Sequence, residues 1–512
     1  MRAIVRACLL LGPVIAIATP DAARAATVTA GTYPYAVAVD AVTNKTYVAN
    51  RDSADVTVID GITDTPTTVG VGASPYAVAV NAITDKAYVA NFDDGTVTVI
   101  DGATNTAIAT VTVGSAPSAV AINAVTNRIY VVNSSGSVSV LNGATDAVLA
   151  TVVAGQVPWT APAINTVTNK AYVPDTNSND ITVIDGSNVP SITTITDLPW
   201  AAAVNSVTNR IYVANYFSNS VTVLDGATDT AITTITDGTG PFALAVNSAT
   251  NTAYVANYDS NTVTVIAGDN SFTTVAVGTG PSSVGVNQAT NQIWVANFGS
   301  NDVTVIDGGT NQTATSPAGM APLALAVNAT TNRLYVANSG SNDATVIDGS
   351  SIAFVSVGMD VVTMLPGGGS LTFPEVSQGG SITVAASPDP PPHPGFRTGG
   401  TGYSIAATGV TSPAGFDITL HYTPGAIQPR IYQYVAGVWV DITIPGGVDT
   451  VNHTVTGHAS AFSDFGVFGS EARSPIAAAP AASLGTLALA LGAILAVARL
   501  QLGHGRRTAA GR

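Results

Sequence analysis

The feature that most limits what this chain can fold into is a tetrapeptide that keeps returning. Aligned on Tyr-Val-x-Asn and its close variants, the sequence repeats around Tyr47, Tyr88, Tyr130, Tyr172, Tyr212, Tyr254, Trp294 and Tyr335, which stand 40 to 42 residues apart. Residues 75–114 show one copy in full. Runs rich in Val, Ile, Ala and Thr at 77–80, 86–90, 96–100 and 109–113 are separated by Asn, Asp and Gly at 81–85, 93–95 and 101–102, and the next copy opens at 114–117. Short β-prone runs bounded by such residues predict strands joined by tight turns. Four strands in a period near 40 is the arithmetic of a propeller blade, whereas parallel β-helix coils repeat at shorter periods.

Residue size supports that reading. In a propeller each blade is covered on both faces by its neighbours, so its strands need not alternate apolar with polar. The first run of each copy is the innermost strand, where blades crowd together. Here it reads Ala36-Val37-Ala38-Val39, Ala77-Val78-Ala79-Val80, Ala119-Val120-Ala121-Ile122 and Ala243-Leu244-Ala245-Val246. Closing the ring also removes the exposed strand edges that invite aggregation. The predicted fold is an all-β, eight-bladed β-propeller over residues 26–358, with seven blades as the alternative. Thr27-Val28-Thr29-Ala30-Gly31 resembles the end of a copy, as does Ser356-Val357-Gly358. Either the N-terminal piece or residues 352–357 could supply the last outer strand.

On these repeats the chain resembles the YVTN β-propeller family, whose signature stands here as Tyr88-Val89-Ala90-Asn91 and its seven counterparts. The likeness covers about two thirds of the chain. It implies a propeller of the kind found in exported and surface proteins of bacteria and archaea. It does not imply a reaction, since one fold carries many functions.

The two ends predict export. Residues 1–25 carry Arg2 and Arg6, an apolar run over 7–18 and an Ala23-Arg24-Ala25 cleavage pattern, the layout of a secretory signal peptide. The single cysteine, Cys8, lies inside it, so no disulfide framework or cysteine metal site is expected after processing. Residues 476–498 are uncharged and apolar, with Arg499, Arg506, Arg507 and Arg512 after them. That predicts a C-terminal transmembrane helix or a processed sorting tail over 470–512, with the body outside. Residues 359–369, containing Gly367-Gly368-Gly369, are expected to be a linker, and residues 370–469 a small β-sandwich. The formal charge of −15 argues against a nucleic-acid partner and suits a soluble exported body.

Chemistry is sparse. Between residues 26 and 358 there is no histidine, cysteine or glutamate, which removes the usual bases, nucleophiles and soft metal ligands from the ring. No catalytic residue, cofactor or metal site is therefore expected. The oxygens of Asn177-Ser178-Asn179-Asp180 and of Asp93-Asp94 suit calcium but form no complete ligand loop. His453 and His458 could pair on a metal or be ordinary surface residues. Asp60, Asp101, Asp185, Asp225, Asp307 and Asp348 precede or nearly precede Gly at the third turn, where an Asp folds back on its own backbone. The asparagines that end Tyr-Val-x-Asn are expected to do the same at the second turn.

In an up-and-down blade the first and third turns share one face of the disc, and the second turn and the inter-blade loop share the other. The first face should be a solvated ring of alternating charge, from Lys45, Lys86, Arg128, Lys170, Arg210 and Arg333 against the turn aspartates. The other face is aromatic. Tyr35, Tyr76, Trp159, Trp200 and Phe242 follow the inter-blade proline, and Phe92, Tyr216, Phe217, Tyr258 and Phe298 lie in the second turn. The first five are the candidate ligand-binding residues, as a platform for a surface glycan or protein; the competing reading makes them plugs between blades. The function expected is a non-catalytic interaction, adhesion or envelope-structure module displayed at the cell surface. The alternative is an enzyme acting on a lactone, sugar or cell-wall fragment through aspartates, which needs an Asp deep in the channel with a raised pKa.

Overall fold

The computed structural model describes residues 25–187, 190–194 and 198–355, and beyond them the strands between residues 358 and 471. Residues 1–24 of the expected signal peptide, the C-terminal apolar segment 476–498 and His453 lie outside the described residues. Among those described, no helix is long and apolar enough to cross a membrane.

The repeats form eight four-stranded antiparallel blades. Seven, numbered 1 to 7 in chain order from the one that opens at Pro34, are built from consecutive strands, as in blade 2 with Pro75–Asn81, Lys86–Asn91, Thr96–Asp101 and Thr106–Thr112. The eighth takes its three inner strands, Pro322–Asn328, Arg333–Asn338 and Asp343–Asp348, from the end of the array. Its outer strand is Ala26–Thr29, which pairs antiparallel with it in the register Ala26↔Val346 to Thr29↔Asp343. The N-terminal segment therefore closes the ring. Ile352–Val355, the other candidate, pairs with Gly380–Ser387 in a separate seven-stranded sheet. Gly358–Met364 is a strand too, paired with Ser370–Val376 in a five-stranded sheet, where the sequence places a linker.

The tight turns explain the residue choice at their ends. Nearly every first, second and third turn finishes on a left-handed residue: Asn44, Ala54 and Asp64 in blade 1, Asn291, Asn301 and Asn311 in blade 7. Asn and Asp tolerate that conformation better than other residues with a Cβ. Each blade–blade interface holds its own apolar core. Val78, Ala87, Val89 and Ile100 of blade 2 pack on Tyr47, Ala49, Val56 and Val58 of blade 1, and Val28, Tyr335 and Val346 of blade 8 pack on Val48 and Ile59 of blade 1. The signature aromatic residues, Trp294 and the seven tyrosines, are the largest fully buried side chains described. Each buries far more area than an aliphatic residue in its place would.

Two polar belts reinforce the first-turn face. At seven interfaces the asparagine ending an innermost strand donates Nδ2 to the Oδ1 of the next blade's turn asparagine, at 2.6 to 2.9 Å, from Asn81–Asn127 round to Asn328–Asn44. At the eighth interface both positions are aspartates, Asp40 and Asp85. The first-turn cations are straps rather than a solvated ring. Lys86 reaches Asp146, Lys170 reaches Asp229 and Arg333 reaches Asp64, each in the following blade at 2.7 to 2.8 Å with both side chains mostly covered. The reason is spacing: the long side chain starts at a strand end and the next blade's third turn lies within its reach.

Candidate binding site

The second-turn face is assembled by a recurrent backbone contact. In six blades the second turn donates to the carbonyl of the residue just before the inter-blade proline, as in Arg51 N–Tyr33 O at 3.0 Å, Phe92 N–Ser74 O at 2.9 Å and Tyr258 N–Gly240 O at 2.8 Å. The following proline begins the innermost strand in those six blades and precedes it in blades 4 and 5, whose strands start at Ala163 and Ala201, so the residue after it projects at the mouth of the channel. This is why a five-letter pattern in sequence becomes a ring of side chains in space.

Tyr35, Trp159, Trp200 and Phe242 line one mouth cavity of about 410 Å3, with Ser118, Thr160, Ser282 and Ser283 as its hydroxyls and alanines as its floor. No charged side chain is among its lining residues. Tyr76 does not line it. It lies against Tyr35 and Phe92, with ring centroids 4.6 Å apart in both cases, and meets the edge of Trp159 at 6.1 Å. All five rings are half-buried. They fall into two groups. Tyr33, Tyr35, Tyr76, Phe92 and Trp159 form the first, with the Arg51 guanidinium 3.9 Å from the centroid of Tyr33. Trp200, Tyr216, Phe217, Phe242 and Tyr258 form the second. Burial, then the neighbouring Tyr76, pushes the Tyr35 phenol up, so it stays neutral and able to donate at ordinary pH.

Trp159 belongs to blade 4 yet meets the rings of blade 2. Two sequence irregularities put it there. Between the inter-blade proline and the strand-end asparagine, blade 4 has one residue more than blade 2, Pro158 to Asn165 against Pro75 to Asn81, and it carries a second proline, Pro162. A proline cannot donate to the ladder. The innermost strand shrinks to Ala163–Asn165, and residues 159–162 leave the sheet. Ser118 of blade 3 is small and buried, which leaves room for the indole to cross. Its Oγ is buried without a partner. Val157 adds strain, because a β-branched residue at φ 55° occupies a backbone region such residues avoid, at a cost on the order of 1–2 kcal/mol.

Blade 4 departs from its siblings again directly beneath this segment. The asparagine that ends Tyr-Val-x-Asn does not fold onto its own turn, as expected from sequence; it ties two strands together. Asn50 donates Nδ2 to Asp55 Oδ1 at 2.6 Å and to Thr57 Oγ1 at 2.9 Å, and Asn297 and Asn338 do the same to Asp302 and Thr304 and to Asp343 and Thr345. In blade 4 this residue is Asp175. It is fully buried, it faces Asp180 in register, and Thr182 reverses its role by donating N–H and Oγ–H to Asp175 Oδ2 at 2.9 and 2.7 Å. Burial, and next to it the Asp180 carboxylate, lifts Asp175 to about 7, the hydrogen bonds from Thr182 opposing the shift. The third-turn aspartates behave as expected: Asp60 Oδ1 accepts from the backbone N–H of Ile62 and Thr63, and those bonds hold its carboxyl below the usual range.

No family model matches the chain, and no curated protein does. Among solved structures it is similar to Kuenenia stuttgartiensis hydrazine synthase, with 17% identity over 63% of this chain and 97% of that one and a TM-score of 0.47. A likeness of this degree says nothing about the chemistry of this chain. No group of three or more metal-ligating side chains occurs among the described residues.

Proposed function

We propose that this chain is an exported, non-catalytic interaction protein of YVTN type whose aromatic channel mouth binds a neutral glycan at the cell surface. The observation that carries this reading is the lining of the mouth: four half-buried aromatic rings with a set of hydroxyls and no charged side chain. Aromatic faces stack on the apolar faces of sugar rings, and hydroxyls exchange hydrogen bonds with theirs. A charged peptide or nucleic acid would find no counter-charge among the residues that line it. The signal-peptide pattern at 1–25 and the apolar, arginine-flanked segment at 476–498 support export and display. The enzyme alternative asks for an aspartate in the channel. Asp175, whose carboxyl is lifted to about 7, lies at the second turn of blade 4 and not among the residues lining the mouth.

Titration calorimetry of the purified chain with neutral oligosaccharides, maltohexaose and chitohexaose as probes, tests this. Trp159→Ala and Trp200→Ala should each weaken binding by about 2 kcal/mol or more, as central anchors do, while shifting the melting temperature little. Absence of binding to any neutral glycan, together with a marked drop in melting temperature for both variants, would establish the rings as structural plugs. Binding to a protein surface through the same rings would reassign the partner.

A further inference from the structure

The Trp159 segment and the Asp175–Asp180 pair are one assembly. Pro158 bridges Asp175, Gly155 N donates to Thr182 Oγ1 at 3.1 Å, Gln156 N donates to Ser178 Oγ at 2.9 Å, and Asn177 N donates back to Gln156 O at 3.1 Å. A Cβ on Gly155 would fall 2.6 Å from Asp180 Oδ1 and 2.7 Å from Asp175 Cβ, so the segment lies directly on the two aspartate side chains. The groups that face Asp175 are Asp180 and Thr182 from the strand alongside, the backbone of residues 155–158 from above, and Ser178 from the turn; of these only Asp180 carries charge. In sibling blades an amide proton fills the gap between the two side chains, at 2.6 Å in the Asn50–Asp55 pair. Blade 4 has no such proton unless one carboxyl takes it up.

We propose that Asp175 and Asp180 form a proton-keyed latch under the Trp159 segment, so that the mouth holds its ligand tightly while the pair shares a proton and loosens when that proton leaves. This rests on the mouth being a binding site. With the proton present, the pair makes a carboxyl–carboxylate hydrogen bond that copies the sibling amide bond. With it gone, the buried Asp175 carboxylate faces the half-buried Asp180 carboxylate, which accepts from Ser178 Oγ at 2.8 Å, and the relief available is to open the second turn of blade 4. That displaces Pro158 and Trp159, and the segment is already strained at Val157. Stability follows the same sign. The folded-state value of Asp175 is raised, so its contribution is fully present below the ordinary carboxylate value and is lost as the pH rises through about 7.

The decisive measurement needs no ligand. The emission of Trp159, taken as wild type minus Trp159→Phe, is followed from acid to alkaline pH. A step near neutrality is expected in the wild-type chain and none in Asp175→Asn, which restores the sibling pair, or in Asp180→Asn, which supplies the amide from the other side. Affinity for the oligosaccharide probe should fall on the order of tenfold across that step, since one unit of pKa difference between bound and free states is tenfold in binding, and be flat in both variants. A flat wild-type emission, or a step that survives in both variants, overturns the latch. A step that disappears in both variants in a chain that binds no glycan keeps the latch and removes the glycan reading.

Discussion

The two faces of the disc are built from the same repeat and have diverged in opposite directions. On the first-turn face nearly every blade places the same residues in the same roles: an asparagine from one blade to the next, a basic strap to the following third turn, and an aspartate closing that turn. On the second-turn face the residue after the inter-blade proline is aromatic in some blades and serine or leucine in others, and blade 4 has broken its innermost strand. Regularity marks what holds the ring together, because every interface must close at the same angle. Irregularity marks what is free to vary once the ring is closed.

That contrast can be broken most severely at the seam. Removing residues 26–29 takes away the outer strand of blade 8, with buried Val28 and its ladder bonds, and should cost on the order of 5 kcal/mol, counting a buried Val at about 2 and each bond at about 1. Chemical denaturation measures it; a loss below about 1 kcal/mol would show that the ring closes without this strand. A smaller break is Asn328→Ala, which deletes the Asn328–Asn44 bond and leaves buried polar groups unpaired at the same seam, for about 1–3 kcal/mol, with the glycan binding proposed for the opposite face unchanged.

The exceptional interface sharpens the comparison. Asp40 and Asp85 stand where the other interfaces have two asparagines, and Asp40 Oδ2 and Asp85 Oδ1 are buried without partners. Burial, then Asp40, raises Asp85 above the usual carboxylate value. A raised folded value means stability lost as the pH rises through it, so Asp40→Asn should stabilise by about 1 kcal/mol on the alkaline side and much less in acid. Melting curves across pH check this; equal effects at both ends would refute it. The smallest effect is expected on the variable face. Arg51→Ala removes a guanidinium stacked on Tyr33 at a partly exposed site and should cost about 0.5–1 kcal/mol or less.

Much of the ring is legible in the sequence because a repeat reports the same environment many times over. The tyrosines, the small innermost strands and the turn aspartates could each be read from one copy and checked against the others. What could not be read were contacts between copies. The strand-end asparagines and the basic straps join side chains some 45 to 60 residues apart, and at the seam 269 to 284 apart, distances over which residue types alone carry no pairing information. The five candidate aromatic residues come together in part, four on one cavity and Tyr76 beside it. Trp159 was visible as a member of the set, but its crossing to the rings of blade 2 depends on one inserted residue and Pro162, whose effect is on backbone direction rather than on residue type. The Asp175–Asp180 pair left a legible trace: it is the one copy of Tyr-Val-x-Asn that ends in aspartate.

The way the ring is sealed also sets how it answers a pull. The seam strand runs antiparallel to its neighbour with Ala26 opposite Val346, so both ends of the propeller leave blade 8 at the same corner of the same sheet. Tension between those ends does not shear the ladder, with all its bonds loaded at once; it peels the ladder from that corner, each bond bearing the force in turn. The other seven blades carry none of that load until the seam has opened. The disc would therefore yield like a clasp, at low force and at one known place, and re-form by docking four residues rather than by refolding a domain.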